Sequence, residues 1–339
     1  MALSLSFDIL DLKTRHPFTI ARGSTTAYRV VRVRLRDADG LEGWGEAAPS
    51  RYYGETADTV AAALGRLAPA LPADPSDLEG ADAALPRAAP QDAAARVAVS
   101  AALHDLAGKR LGAPLWRLWG LDPARAPLSS FTIGLDTPER MQAKVREAAP
   151  YPILKIKVGT PDDAAVLRAV REVTDKPLRV DANAGWTVSE ALARLPLLEE
   201  MRVELIEQPV APDDVEGLAA VHRASRIPIV ADEACRTAAD IPRLAGAVDG
   251  INIKLAKCGS LREALRMVES ARAHRLSVMV GCMIETSLGI TAAAHLTPLL
   301  DLADLDGAAL LERDPFAGAT IDAGRIVLPT GPGLGVTER

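Results

Sequence analysis

Two patterns of apolar and polar residues divide the chain into parts. From Tyr28 to Ser50 the two kinds of residue alternate, with a break at Asp39-Gly40, which predicts a β-hairpin within an opening meander. Residues 56–73 and 94–120 instead carry apolar residues at three- and four-residue spacing, which predicts helices. Between these helices, an Ala/Pro-rich loop is expected around residues 72 to 90.

From about Pro127 onward, short apolar strands alternate with helical patterns. This alternation is typical of parallel βαβ units, and about eight of them predict a closed α/β barrel. We expect residues 1–125 to form a capping domain, residues 126–317 the barrel, and residues 318–339 a tail that returns to the capping domain. The candidate strands are residues 129–134, 153–158, 178–183, 203–209, 227–233, 250–255, 277–282 and 303–307.

The composition narrows the class of protein. Of the 339 residues, 48% are hydrophobic and 25% charged, as in a globular protein, and no apolar run reaches the roughly 18 residues of a membrane helix. The net charge of -6 does not favour binding to nucleic acid or to an anionic membrane. The cysteines form no C-x-x-C pair, which argues against a zinc site, and the first residues lack an export signal, so we expect a cytoplasmic protein.

Lysines stand at the ends of two candidate strands. Lys155 and Lys157 alternate along one strand, so both side chains emerge on the same face and require a counter-charge. Lys254 lies at the end of the candidate strand that comes four strands after the one with Lys155 and Lys157. It is expected to approach the same site from the other side. The carboxyl ends of barrel strands carry the chemistry of this fold.

Three carboxylates, those of Asp181, Glu207 and Asp232, end the strands between these lysines. A single aspartate at a strand end is usually a turn or helix-capping residue, but such residues on successive strands indicate a shared site. Carboxylates this close would repel one another without a cation, and an all-oxygen ligand set suits Mg²⁺ better than zinc.

These motifs resemble those of the enolase superfamily, within the subgroup that includes the muconate lactonizing enzymes. The resemblance implies a modified TIM-type (β/α)7β barrel, capped by an α+β domain that the N-terminal part and the C-terminal tail form together. It implies Lys157 and Lys254 as the two acid/base residues, Lys155 beside the substrate, and Mg²⁺ on the three carboxylates. The matching motifs are K-x-K at 155–157, D-x-N at 181–183, E-Q-P at 207–209, A-D-E at 231–233 and N-I-K at 252–254.

Longer stretches resemble the dipeptide epimerases, especially those acting on L-Ala-D/L-Glu: residues 17–24, 51–56, 252–260, 281–287 and 304–307. The resemblance implies a dipeptide substrate, inverted at the α-carbon of its C-terminal residue through an enediolate, and a role in peptidoglycan turnover. It implies that Asp304 and Asp306 bind the substrate ammonium. Arg22 is a candidate partner for an acidic side chain, and Thr132 and Met283 are further candidate substrate contacts.

Other functions stay open at this point. N-acylamino acid racemases, o-succinylbenzoate synthases and cycloisomerases belong to the same subgroup, and a non-catalytic barrel is a further alternative. Asp304 and Asp306 favour a dipeptide, because an N-acyl or dicarboxylate substrate gains nothing from two carboxylates at that place. The oligomeric state, including a homo-oligomer, is left open by the sequence.

Overall fold

The computed structural model describes residues 3–339, and an antiparallel sheet opens it. Its strands, in the order β1-β2-β3, are β1 (Ser4–Ile20), β2 (Gly23–Arg36) and β3 (Glu42–Ala47). The turn between β2 and β3 is held by Asp37, whose Oδ1 accepts hydrogen bonds from the backbone N–H groups of Asp39 and Leu41, both at 2.9 Å. The hairpin predicted at Asp39-Gly40 is therefore confirmed.

Four helices follow the sheet: α1 (Ala57–Leu67), α2 (Leu78–Ala88), α3 (Ala93–Leu111) and α4 (Leu115–Leu118). The prediction of a loop around residues 72 to 90 is wrong, because α2 occupies most of that segment. Its first turn is capped by Asp77, whose side chain accepts the Gly80 N–H at 2.8 Å. Ala81 and Leu85, four residues apart, are buried, and Pro86 falls near the end of the helix. The Ala/Pro content of the segment concealed this spacing.

Helix α3 lies unusually close to β3, because two glycines on the strand face it. A Cβ atom on Gly43 would lie 2.1 Å from the Ala102 carbonyl oxygen, and one on Gly45 would lie 2.0 Å from that of Ala98. Neither position can hold a larger residue without moving the helix backbone. The close approach fixes the sheet on one side of α3 and buries the apolar residues between them.

Eight parallel strands form the barrel, in sequential order and with the outer edges meeting at a seam. At the seam an isolated bridge joins Ser129 to Ala303, and the Ser130 N–H donates to the Ala303 carbonyl at 3.1 Å. The predicted α/β barrel is thus confirmed. The strands are β4 (Phe131–Ile133), β5 (Leu154–Lys157), β6 (Leu178–Asp181), β7 (Val203–Glu207), β8 (Ile229–Ala231), β9 (Gly250–Ile253), β10 (Ser277–Gly281) and β11 (Leu302–Asp304).

Amphipathic helices connect the barrel strands. In one of them, α11, Ser260 caps the first turn by accepting the Glu263 N–H at 2.9 Å, and the buried face carries Leu261, Ala264, Met267, Val268 and Ala271. No helix within residues 3–339 has both the length and the apolar character needed to cross a bilayer. The helices of this part are α5 (Pro138–Glu147), α6 (Asp163–Arg171), α7 (Val188–Glu200), α8 (Val215–Ala224), α9 (Ile241–Leu244), α10 (Leu255–Cys258), α11 (Leu261–Ala273) and α12 (Ser287–Ala294).

The C-terminal tail contacts the N-terminal part of the chain. The Leu115 N–H donates to the Gly333 carbonyl at 3.1 Å, and the Leu334 N–H donates to Asp105 Oδ1 at 2.7 Å. These bonds join the tail to α3 and to the start of α4. The short strands of the tail are β12 (Phe316–Ala317), β13 (Thr320–Asp322), β14 (Arg325–Val327) and β15 (Thr337–Glu338).

A buried histidine joins the barrel, the tail and the N-terminal part. His295, which follows α12, accepts the Trp116 backbone N–H at Nδ1 over 3.3 Å, while its Nε2 donates to the Leu334 carbonyl over 3.2 Å. Acceptance at Nδ1 requires the neutral imidazole, and burial lowers the pKa of His295 to about 4. This histidine therefore serves as an uncharged connector between three parts of the chain.

Candidate active site

Three buried carboxylates meet at the carboxyl ends of neighbouring barrel strands. Asp181 and Glu207 end β6 and β7 and stand opposite each other in the parallel register, while Asp232 directly follows β8. Each is at most 1% exposed, and one oxygen from each lies within 4.8 Å of the others. Successive βα units place them together because parallel strands end at the same edge of the barrel.

The electrostatics show that this cluster needs positive charge. Burial, followed by the negative charge of Asp181, raises the pKa of Glu207 to about 8. Burial also acts to raise the pKa of Asp181, but the ammonium groups of Lys157 and Lys155 outweigh it and hold that pKa below its usual range. Three carboxylates in this space can all ionise only when cations neutralise them.

Two lysines from β5 approach the cluster from one side. Lys155 Nζ lies 2.7 Å from Glu207 Oε2 and 3.1 Å from Asp181 Oδ2, and Lys157 Nζ lies 2.6 Å from the same Asp181 oxygen. Both ammonium groups therefore emerge on one face of β5, as the alternation of the strand predicts. Lys155, at 1% exposed, is enclosed by carboxylates, whereas Lys157 also lies 5.9 Å from the centre of the Phe18 ring.

A third lysine approaches from the opposite side. Lys254 follows β9, and its Nζ lies 2.7 Å from Asp232 Oδ2. Burial lowers the pKa of Lys254, but the charges of Asp232 and Glu207 have the larger combined effect and raise it above its usual range. Because β6, β7 and β8 stand between β5 and β9 in the sheet, the carboxylate cluster separates Lys157 from Lys254.

The donor set of the cluster suits Mg²⁺. All of its ligand atoms are carboxylate oxygens, the type that hard divalent cations prefer, and none is nitrogen or sulfur. Asn252 orients one of them, since its Nδ2 donates to Glu207 Oε1 at 2.9 Å. The structure therefore brings together the three carboxylates that the sequence predicts as metal ligands.

Two aspartates, one that ends the eighth strand and one that follows it, are buried beside Thr132 on β4. Asp304 Oδ1 accepts a hydrogen bond from Ser130 Oγ at 2.7 Å. Asp306 Oδ2 accepts the Thr132 backbone N–H at 2.6 Å, and its other oxygen accepts Thr132 Oγ1 at 3.3 Å. Burial and the charge of Asp304 raise the pKa of Asp306 to about 7. Negative charge is thus concentrated at the seam of the barrel.

The tip of the β1–β2 hairpin covers the strand ends. The Thr19 carbonyl accepts the Leu135 N–H at 2.9 Å, which ties the tip to the loop after β4. Arg22, which the sequence assigns to substrate binding, lies 2.9 Å from Glu233 Oε1 and donates to the Asn183 carbonyl at 2.6 Å. Its guanidinium also stacks over the Tyr52 ring, 4.2 Å from the centre.

Met283, the other candidate contact, follows β10. Its backbone N–H donates to Glu285 Oε1 at 2.8 Å, and its side chain packs against the apolar cluster around Leu12, Ile284 and Leu311. The loop that holds Met283 lies between the N-terminal sheet and the barrel.

Comparison with known proteins agrees with this geometry. Residues 138–339 match the family described as enolase C-terminal domain-like, and residues 6–120 match the mandelate racemase/muconate lactonizing enzyme N-terminal domain. The chain belongs to the mandelate racemase/muconate lactonizing enzyme family. An L-Ala-D/L-Glu epimerase from Bacteroides thetaiotaomicron is 42% identical over 338 residues, which cover 99% of this chain and 88% of that protein.

Two solved structures of the mandelate racemase/muconate lactonizing enzyme fold are also similar. A dipeptide epimerase from Enterococcus faecalis, complexed with Mg and L-Leu-L-Tyr, superposes with a TM-score of 0.94 at 34% identity and covers 100% of both chains. An N-succinyl Arg/Lys racemase from Bacillus cereus superposes with a TM-score of 0.95 at 26% identity, covering 100% of this chain and 96% of that one. The fold is therefore shared by enzymes with different substrates.

Three residues near the site were given no role of their own by the sequence analysis. Lys257 and Asn252 contact carboxylates of the cluster, and Glu233 binds Arg22. Two of them carried a usable signal. Asn252 lies two positions before Lys254 on the same strand face, and Lys257 lies three positions after it on a helical turn. The pairing of Glu233 depends on where the distant hairpin tip docks, which no local pattern reveals.

Proposed function

We propose that the protein is a Mg²⁺-dependent dipeptide epimerase that inverts the α-carbon of the C-terminal residue, with L-Ala-D/L-Glu among its substrates. The observation that carries the proposal is the placement of Lys157 and Lys254. They stand on opposite sides of one carboxylate cluster, at 2.6 Å from Asp181 and 2.7 Å from Asp232. Two bases facing one site are what inversion at a carbon requires, because the proton leaves one face and returns to the other.

In the proposed reaction, the neutral amine of one lysine takes the α-proton. The electron pair of the broken C–H bond moves into the substrate carboxylate. The ammonium group of the other lysine then donates its proton to the opposite face of the carbon. In the reverse direction the roles of Lys157 and Lys254 exchange. Between turnovers in one direction, proton exchange with water returns both lysines to their starting states.

Charge that develops on the substrate carboxylate must be stabilised. Lys155 is fixed for this purpose, since it is fully enclosed and held by Glu207 and Asp304, both at 2.7 Å. Asp181, Glu207 and Asp232 would hold Mg²⁺, which would supply further positive charge at the same place. Preorganised positive charge of this kind costs no rearrangement at the moment of reaction.

Asp304 and Asp306 support a substrate with a free ammonium group. Both are buried, and together they place two carboxylates at the seam with Lys155 as the cation nearest to Asp304. A dipeptide amino terminus would supply the missing positive charge. Arg22 is proposed to face the side chain of the epimerised residue, from its position over Tyr52. Thr132 is proposed to orient Asp306, and Met283 to line the site from the loop after β10.

The main alternative is an N-acylamino acid racemase. It is favoured by the structural likeness to the N-succinyl Arg/Lys racemase, which has the higher TM-score of the two structures compared above. The two buried aspartates at the seam argue against it, because an N-acyl group carries no positive charge to balance them. Synthases and cycloisomerases need one base on one face and leave the second lysine without a role.

We further propose that the protein acts in the cytoplasm on dipeptides released during peptidoglycan turnover. The likeness to an L-Ala-D/L-Glu epimerase supports the substrate class.

Exchange of the α-proton tests the proposed reaction directly. Dipeptides including L-Ala-L-Glu are incubated with the protein and Mg²⁺ in D₂O, and loss of the α-proton signal of the second residue is followed by NMR. Dipeptides are expected to exchange and to form the other epimer, whereas N-succinyl amino acids are expected to react poorly. Exchange of N-succinyl amino acids at the rate of dipeptides would contradict the proposal.

A further inference from the structure

One fully buried lysine has no part in the proposed proton transfer. Lys257, on α10, is 2% exposed, and its Nζ lies within hydrogen-bonding distance of four oxygens. These are Asp232 Oδ1 at 2.5 Å and the backbone carbonyls of Asp232, Asn252 and Cys235 at 2.5, 3.0 and 3.1 Å. An ammonium group has three protons, so these acceptors use all of them. Lys257 therefore has no donor left for a substrate.

Lys254 and Lys257 share one carboxylate but contact different oxygens of it. Lys257 holds Oδ1 of Asp232, and Lys254 lies 2.7 Å from Oδ2. Among residues 3–339, this Oδ2 atom is the one hydrogen-bond acceptor found for Lys254. The three-residue spacing on the turn from β9 into α10 brings both side chains to the same aspartate. One lysine is thus fixed by its surroundings, and the other keeps protons for further partners.

We propose that Lys257 is a positioning residue that holds Asp232 so that its Oδ2 faces the Mg²⁺ site. The proposal rests on the proposed metal-dependent reaction and refines it. By binding Oδ1 and the Asp232 carbonyl together, Lys257 fixes both the side chain and the backbone of this ligand. By binding the Cys235 and Asn252 carbonyls, it ties the loop after β8 to β9, the strand that leads to Lys254.

If Lys257 acted only through its charge, its removal would change Mg²⁺ binding in the opposite direction from the one that the proposal predicts. The proposal is therefore testable. Lys257 carries a positive charge next to a cation site, so loss of that charge alone should strengthen the binding of Mg²⁺. If Lys257 positions Asp232, its loss should weaken binding in spite of the removed repulsion. Lys254 provides the matched control, because it contacts the same carboxylate and competes with the metal for Oδ2 without anchoring the loop.

The experiment measures binding of Mg²⁺ alone to the full chain by isothermal titration calorimetry. We expect Lys257→Met to weaken binding at least tenfold and Lys254→Met to leave it unchanged or tighter. Lys257→Gln, which keeps one donor group, should fall between Lys257→Met and the unaltered protein. Circular dichroism and thermal melting without metal establish that each variant is folded. If dipeptides are turned over, saturating Mg²⁺ should restore most of kcat in Lys257→Gln, whereas Lys254→Met should stay inactive.

Equal or tighter Mg²⁺ binding by Lys257→Met would overturn the proposal and leave Lys257 as a counter-charge only. Failure of both Lys257 variants to fold would also count against it, because a residue that acts through Asp232 is not needed for the fold. The titration contains no dipeptide, so it is independent of the proposed substrate. A protein that binds Mg²⁺ in the expected pattern but epimerises no dipeptide would retain this inference and lose the proposed function.

Discussion

Lys155 Nζ on β5 lies 2.7 Å from Asp304 Oδ2 at the end of β11, and this ion pair spans the strand β4 that separates them. It couples the seam of the barrel to the carboxylate cluster, because the same ammonium group also contacts Glu207. Within residues 3–339, Asp306 forms no ion pair with a lysine and is held by Thr132 instead. The two aspartates proposed to bind the substrate ammonium are therefore not equivalent.

Substitution of either aspartate should reveal this difference. Asp306→Asn is expected to raise KM for dipeptides, with a loss of roughly ten- to hundredfold in kcat/KM, because one charge-assisted contact to the ammonium is removed. Asp304→Asn should lower kcat as well, since it also releases Lys155. Steady-state kinetics with a dipeptide and its N-acetylated form provide the measurement.

The acetylated dipeptide, a poor substrate already, should lose less on either change. Asp322→Asn, on the exposed strand β13, is the control and should leave the kinetics unaltered. Dipeptide kinetics that do not respond to Asp304→Asn or Asp306→Asn would exclude the proposed ammonium site.

Removal of either lysine from the two faces should separate proton exchange from inversion. Lys157→Ala and Lys254→Ala are each expected to abolish epimerisation, because one face of the carbon then lacks an acid or base. Each variant should still exchange the α-proton of one epimer with D₂O, and the two variants should act on opposite epimers. The measurement is NMR of both purified epimers with each variant. Normal turnover by either variant would remove that lysine from the mechanism.

Loss of a ligand carboxylate should disable the metal site. Glu207→Gln removes one negative charge from the cluster and is expected to weaken Mg²⁺ binding more than tenfold. Chelation of the unaltered protein should abolish turnover, and added Mg²⁺ should restore it. Calorimetry and activity measured across a Mg²⁺ titration provide the readouts. Full activity in excess chelator would show that the three carboxylates do not serve a metal-dependent reaction.

Buried Glu46 should make the protein less stable as the pH rises. On β3, it accepts the Thr286 N–H at 2.9 Å, and burial, then the charge of Glu285, raises its pKa to about 8. Between about 4.3, the value for an unfolded glutamate, and about 8, the folded chain keeps a proton that the unfolded chain has lost. The stability contributed by this group is complete below that window and is lost as the pH rises through it.

Glu46→Gln should therefore lose less stability than the unaltered protein between pH 5 and pH 8.5. The expected difference is on the order of 2 to 4 kcal/mol in the free energy of unfolding. Urea denaturation at both pH values measures it. Glu269→Gln, at an exposed position on α11, is the control and should leave the pH dependence as it was. Parallel loss of stability in Glu46→Gln and the unaltered chain would show that Glu46 is already ionised when folded.

The sequence predicted where the barrel strands lie better than it predicted which distant residues contact one another. Alternation along β5 and the repeated strand–helix pattern are local features of the sequence. They were sufficient to predict that Asp181, Glu207 and Asp232 lie close together. Helix α2 was missed because its apolar spacing is short and interrupted by Pro86. The contact between Arg22 and Glu233 joins residues 211 positions apart, and only the docking of the hairpin tip on the barrel determines it.

The hydrogen bond between Asp105 and Leu334 can form only late in the synthesis of the chain. Asp105 accepts hydrogen bonds from the Trp44 and Leu334 N–H groups, but Leu334 is made 229 residues after Asp105. At about 5–20 residues per second, this delay is on the order of 10 to 50 seconds. The sheet and α3 can form early, yet Asp105 Oδ1 receives the hydrogen bond from Leu334 only after the tail has been made. The N-terminal part and the barrel should therefore reach their final stability together, after the ribosome has passed Leu334.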